Sequence, residues 1–203
     1  MTDAQHEAVS PRQAGAGPSR GRPGNEAHGH ASDADDPACA VAHGAPAPAV
    51  DDKVLIAVFA SPVAEYLLRY GADLGFRAIL LEPDVDRAKA ASIPGAEILT
   101  EPPGQLDASV DVVVTDHHRP ELGTALRDLL AGQTRWIGLM GNPRHQGPHV
   151  EALTQLGVPA ADIGRVKRPV GLNIGSRTPA EIAIATLAGL VADRNGRPGG
   201  FNF

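Results

Sequence analysis

The chain has 203 residues and a formal net charge of −6, and only 3% of its residues are aromatic. That balance argues against a nucleic-acid footprint, which needs Lys and Arg clustered on one face; Arg165, Lys167 and Arg168 form only a small basic cluster. Cys39 is the single cysteine, which excludes intrachain disulfides and cysteine-rich zinc sites. No apolar run approaches the roughly 18 residues that span a bilayer, and the N-terminus lacks a signal peptide's apolar core, so a soluble, cytoplasmic protein without membrane partners is expected.

Residues 1–50 are rich in Ala, Gly, Pro, Asp and His, carry no aromatic residue and show no apolar periodicity. Such a segment cannot bury enough surface to offset chain entropy, and it reads as a disordered tail. Residues 51–197 read as one domain, followed by a short C-terminal tail at 198–203.

The regular pattern starts with Val54-Leu55-Ile56-Ala57-Val58-Phe59, an apolar run typical of a strand buried on both faces. Ser61-Pro62 supplies a cap and a first-turn proline for a helix whose apolar face is Val63, Leu67, Leu68 and Leu74. A second strand is expected at 77–82, a short helix at 84–92 and a short third strand at 97–100. Strand four falls at 111–115, a helix at 120–131 and strand five at 135–140. Pro143 and Pro148 are too close for one straight helix from Pro143, so either a kink or a helix from about Pro148 to Gly157 is expected. The last helix, 179–193, opens with a Thr178-Pro179-Ala180-Glu181 capping box. This alternation predicts an α/β fold: an open parallel sheet in the order 3-2-1-4-5 with helices on both faces.

In such a sheet ligands bind at the carboxyl ends of the strands, where strand order reverses. Ser61 follows strand one, Glu82 ends strand two, Thr115-Asp116-His117-His118 follows strand four and Gly141-Asn142 follows strand five. Glu82 stands where a dinucleotide fold places its ribose-binding acid, yet the first turn reads Phe59-Ala60-Ser61-Pro62 with no glycine. That argues against NAD(P). Asp116, His117 and His118 carry groups suited to metal binding or proton transfer, although adjacent side chains diverge; the plain alternative is a helix cap at Asp116 beside a surface histidine. No metal site is assigned. Arg144 and His145 follow a Gly-Asn-Pro turn that is able to hold an anion, and Gly171 and Gly175 flank a turn whose backbone must bend sharply or approach something closely. The plain reading of that turn is a support for the last helix.

Three segments together, Thr115-Asp116-His117-His118, 136–145 and 169–183, resemble the C-terminal Rossmann-like domain of the XdhC/CoxF family. The resemblance spans about 53–193, and the Gly171-Leu172-Asn173-Ile174-Gly175-Ser176-Arg177-Thr178-Pro179 string is its most specific part. It implies an accessory protein that matures a molybdenum hydroxylase of the xanthine or CO dehydrogenase type, binding molybdenum cofactor (molybdopterin) or docking to the client enzyme. It implies a binding protein and not a catalyst, so no catalytic residue is assigned. Further partners implied are a cofactor sulfurase, a separate homologue of the family's N-terminal domain, and a second copy in a homodimer.

The chain departs from the family pattern at several points. The usual glycine-rich first turn is Phe59-Ala60-Ser61-Pro62, the histidine after strand four is displaced by one position to His117, and Asn142-Pro143 leaves Arg144 as the basic residue after Gly141. Residues 1–50 are too polar and short to stand for the family's N-terminal domain, so a stand-alone module is expected. The candidate cofactor-binding residues are therefore Ser61, Glu82, Thr115, His117, Gly141, Asn142, Arg144, Gly171, Gly175, Ser176, Arg177 and Thr178. The cofactor's phosphate would meet helix-start N–H groups near 142–144 or 176–178. The rival reading is a nucleotide-dependent oxidoreductase using Glu82 for a ribose and His117 as proton donor. Because residues 1–50 lack core-forming side chains, removing them is expected to leave the cooperative melting transition of the remainder unchanged within a degree or two; a drop of several degrees in calorimetry contradicts the reading.

Overall fold

A computed structural model of the chain describes residues 37–46, 52–141 and 147–200. The chain divides into two units, 1–47 and 48–203. In the first, the described residues form a short helix α1 (Pro37–Ala42) that carries half-buried Cys39. This six-residue helix is what the described residues show within the segment expected as a tail, and the rest of that segment lies outside the described residues. Ala38, Ala40, Val41 and Ala42 make the segment a good enough helix former to close one turn.

The second unit carries the sheet. Strands β1 (Lys53–Val58), β2 (Phe76–Leu81), β3 (Glu97–Leu99), β4 (Val110–Val114), β5 (Trp136–Leu139) and β6 (Val166–Lys167) are all parallel, in the order β3-β2-β1-β4-β5-β6. The reversal between β1 and β4 is the topological switch point. Strand β6 extends the five-strand order that was expected. It is two residues long, pairs as Ile137↔Val166 and Gly138↔Lys167, and sits between Arg165 and Arg168, so it carries no apolar run to announce it.

Side chains alternate across the central strand. Val54, Ile56 and Val58 face helices α4 (Leu122–Leu130) and α5 (Pro148–Gln155), while Leu55 and Ala57 face α2 (Pro62–Asp73) and α7 (Pro179–Arg194). The short α3 (Val85–Ala90) and α6 (Ala160–Ile163) complete the connections. Helix α5 starts at Pro148, as one of the two alternatives had it. Leu74, assigned to the buried face of α2, is 43% exposed, because the helix ends there and the chain turns through Gly75 at φ +82°. Among the described residues no helix is long and apolar enough to cross a membrane.

Helix α7 is fixed at both ends of the sheet. Its last turn supplies Arg194, which donates to the fully buried Asp111 of β4 (2.5 Å) and to the Ser109 carbonyl (2.8 Å), while Arg135 donates to the other Asp111 oxygen (2.7 Å). Its first turn is closed by the expected capping box: Thr178 Oγ1 accepts from Glu181 N, and the Glu181 carboxylate accepts from Thr178 N.

The loop before α7 lies directly on the helix. Gly171 adopts φ +84°, a Cβ there would stand 3.0 Å from the Ala185 and Thr186 backbone, and Leu172 N donates to the Ala185 carbonyl (3.0 Å). The close approach read from the sequence is thus made to the protein's own helix. Gly171→Ala is expected to cost about 2 kcal/mol or more, since the left-handed conformation alone costs ~1–2 kcal/mol and the clash adds to it. Thr178→Ala should cost about 1 kcal/mol. Urea midpoints check this order, and an unshifted midpoint for Gly171→Ala shows that the loop can leave the helix freely.

Candidate functional site

The β1–α2 turn is built differently from a phosphate-binding turn. Phe59 holds the left-handed conformation (φ +74°) that a glycine would adopt, but it fills the space with a fully buried ring. The Arg119 guanidinium lies over that ring, 4.8 Å from its centroid. Ser61 Oγ accepts from Ala64 N (3.0 Å) and bonds Thr115 Oγ1 (3.0 Å), whose own contacts are the Val58 and Phe59 carbonyls. Pro62 has no N–H to give. Ser61 and Thr115 therefore stitch β1 to β4, and their hydroxyls are engaged within the protein.

Glu82 is fully buried and its carboxylate is saturated. One oxygen accepts from Ala60 N (2.8 Å) and Arg119 Nη1 (3.0 Å), the other from Asp84 N (3.1 Å) and Arg119 Nη2 (2.9 Å). Arg119, itself buried, also pairs with Glu121 (3.2 Å). Burial alone would raise the Glu82 pKa, but the bonds from Arg119, Ala60 and Asp84 outweigh it and hold the group below the usual carboxylate range. This corrects the assignment of Glu82 as a ligand-binding acid: no lone pair remains for a ribose hydroxyl. Sequence reasoning missed Arg119. The available signal was an acid closing an apolar strand, Leu80-Leu81-Glu82, which requires a cation without indicating which.

The open space lies on the other side of the switch point. Residues 169–177 arch between β6 and α7 and enclose, with Met140, Gly141 and the Ile182, Ala185 and Thr186 face of α7, a cleft of about 800 Å³. Gly141, Gly171, Gly175, Ser176 and Arg177 all line it. Gly175 takes φ +69°, and a Cβ there would meet nothing within 4 Å. The Arg177 side chain forms no ion pair among the described residues, and Ile174 is 54% exposed at the rim. Thr178 is not in the wall.

The start of α7 is not an open anion site. The Glu181 carboxylate accepts from Arg177 N (2.6 Å) and Thr178 N (3.1 Å), which lowers its pKa, so the helix already holds an anion of its own. This corrects the expectation of a ligand phosphate at 176–178. Asn142 and Arg144 lie outside the described residues.

After β4, Asp116 Oδ1 accepts from His118 N (2.9 Å), closing a turn; it does not cap α4, whose N-cap is Glu121. His117 is half-buried and donates a ring N–H to the Met140 carbonyl, while His118 is exposed and its ring lies 4.0 Å from that of His117. Burial, with His118 and Arg168 nearby, lowers the His117 pKa despite Asp116 and the Met140 bond, so the imidazole is neutral at neutral pH. No group of three or more His, Cys, Asp or Glu among the described residues is arranged to hold a metal ion.

A six-stranded parallel sheet in the order 3-2-1-4-5-6, covered on both faces and with its crevice at the β1/β4 switch, defines a Rossmann-type domain. A family model described as the XdhC Rossmann domain matches residues 55–190, and the chain belongs to that family. Over 76 residues it is 40% identical to the uncharacterized protein YqeB of Escherichia coli strain K12, a match that covers 37% of this chain and 14% of YqeB. It also superposes, with TM-score 0.58 and 24% identity, on a Bacillus halodurans protein described as a xanthine dehydrogenase, over 71% of this chain and 45% of that one. The chain thus spans less than half the length of either relative.

Removing one side of the Glu82–Arg119 pair strands a buried charge. Arg119→Ala is expected to cost about 3–5 kcal/mol, and Glu82→Gln should be destabilising at pH 7. Because the folded Glu82 pKa is lowered, its stabilisation is complete above the ordinary carboxylate pKa of about 4.3 and is lost as pH falls through the folded value. Denaturation curves of Glu82→Gln and the natural chain should therefore converge in acid; a gap that widens with falling pH contradicts the assignment.

Proposed function

We propose that this chain is an accessory protein for the maturation of a molybdenum hydroxylase of the xanthine or CO dehydrogenase type, and that it binds molybdenum cofactor in the cleft beneath residues 169–177. The observation that carries the reading is the position of that cleft. Its wall is the segment most characteristic of the family, while the neighbouring dinucleotide position is filled by Phe59, Glu82 and Arg119.

The residues suit the cofactor. A volume of about 800 Å³ lies within the range of roughly 300–1,000 Å³ usual for cofactor sites. Val170, Leu172, Ile182 and Ala185 offer apolar surface to a fused ring, and Asn173, Ser176 and Arg177 add polar groups to the same lining. When bound, the cofactor carries the redox chemistry that belongs to the client. This chain's residues hold and orient it and exclude water from one face. The exposed rim at Ile174 and Arg177 is the natural contact for a client enzyme. The reading entails no turnover, and the saturated Glu82 counts against the oxidoreductase alternative with NAD(P).

Protein purified from cells that make molybdenum cofactor is expected to carry pterin and molybdenum, and cofactor should protect amides of 173–177 from hydrogen exchange. Gly175→Ala, whose Cβ meets nothing within 4 Å but strains the left-handed loop conformation, should weaken binding by disturbing the cleft wall, and Arg177→Ala, an exposed side chain, should weaken it about tenfold in a protein that stays folded. Absence of cofactor from the purified protein, or undiminished binding by both variants, overturns the proposal.

A further inference from the structure

Helix α5 begins beside the cleft from Gly147 without a side-chain cap, as α4 and α6 also do from Glu121 and Pro159, whereas α2, α3 and α7 are capped by Ser61, Asp84 and Thr178. The second residue of α5, His149, is buried (6% exposed), and its Nδ1 has no hydrogen-bond partner among the described residues. A buried polar atom left unpaired is costly, and in a native structure it calls for an explanation, of which a bound ion or ligand group is one.

Two further groups meet it. The Arg168 side chain passes between Gly147 and Gly141: a Cβ on Gly147 would lie 2.3 Å from His149 Nδ1 and 3.2 Å from Arg168 Cδ, and one on Gly141 would lie 2.7 Å from Arg168 Nη2. Both glycines are therefore required for Arg168 and His149 to occupy this place. His117 is bonded to the Met140 carbonyl next to Gly141, and burial together with the Arg168 charge lowers the pKa of both imidazoles, so one positive field reaches both rings. Met140 and Gly141 also form the wall of the cleft. The cluster and the cleft share a boundary.

A guanidinium and two imidazoles beside the start of a helix are suited to an oxyanion through charge-assisted donors; the helix itself adds little beyond its dipole, since Pro148 has no N–H and Val150 N already donates to the Gly147 carbonyl (3.2 Å). We propose that Arg168, His149 and His117, beside the start of α5, form a phosphate subsite at the β5 end of the cleft, taking the phosphomonoester of a ligand whose ring lies under residues 169–177. The inference rests on the cofactor reading above and adds which end of the cleft receives the charge. His149 Nδ1 donates to the phosphate, and Arg168 supplies the countercharge.

The test uses the full chain and three probes: inorganic phosphate, 6-hydroxymethylpterin, and the phosphate ester of that pterin. Calorimetry gives affinities and ¹⁵N spectra report the histidine rings. The ester is expected to bind about tenfold or more tightly than the alcohol, with the His149 ring signals shifted by the ester and by inorganic phosphate. Arg168→Gln and His149→Leu should erase that preference, and His149→Asn, which restores an N–H donor near the Nδ1 position, should recover part of it. Equal affinity for ester and alcohol, or an intact preference in folded Arg168→Gln, overturns the subsite while leaving pterin binding in the cleft standing. Phosphate that shifts His149, with neither pterin bound, supports the subsite and removes the cofactor reading.

Discussion

The bidentate pair between Glu82 and Arg119 is the constraint on which the arrangement of the whole carboxyl edge depends. It joins the end of β2 to the loop after β4 across the switch point, and its four hydrogen bonds leave the carboxylate with no unused lone pair. A buried ion pair of this kind contributes little net stability against an apolar alternative, because desolvation offsets the attraction. Its effect is positional. With Arg119 stacked on Phe59, the pair fills the carboxyl edge beside β1 with the protein's own buried side chains.

The accessible surface lies on the other side of the switch point, in the cleft. The loop 169–177 can arch over β5 because Gly171 rests on the α7 backbone and Leu172 bonds into it. The polar groups that remain free for a ligand are then decided by local self-capping. Ser61, Asp84 and Glu181 answer the starts of α2, α3 and α7 from within the chain, which removes those helix starts as anion sites. The fold is common ground with the Bacillus halodurans protein, while the first turn, filled by Phe59 where a dinucleotide-binding turn has glycine, is built by this chain's own residues.

Much of this was legible along the chain. The apolar runs at 54–59, 77–82, 111–115 and 135–140 marked strands to within a residue or two, because central parallel strands are buried on both faces and tolerate few polar residues. The Thr178 and Glu181 box was readable for the same local reason, being four residues long. Strand β6 was not readable, since two residues flanked by arginines are held by pairing with β5 and not by their own pattern. The pairing of Glu82 with Arg119, 37 residues apart, left no trace in spacing, and neither did the meeting of His149, Arg168 and His117. Arg165, Lys167 and Arg168 read alike as a basic cluster, yet Arg165 braces the Leu130 and Gly132 carbonyls, Lys167 is exposed and Arg168 reaches Gly141.

Sequence determined the elements, their alternation, the parallel sheet and the family, because each depends on patterns within a few turns of chain or on a contiguous motif. Tertiary structure decided which of the candidate residues face open space. Glu82, Ser61 and Thr115 sit at the right ends of the right strands, but their hydrogen-bonding capacity is consumed by near neighbours such as Asp84 and Ala64 together with partners 22 to 57 positions away. Gly175, Ser176 and Arg177 line the cleft because the loop before α7 is bonded onto that helix through Leu172, Arg177 and Thr178. A side chain's chemistry is written in its identity, whereas its availability depends on the groups that folding brings against it.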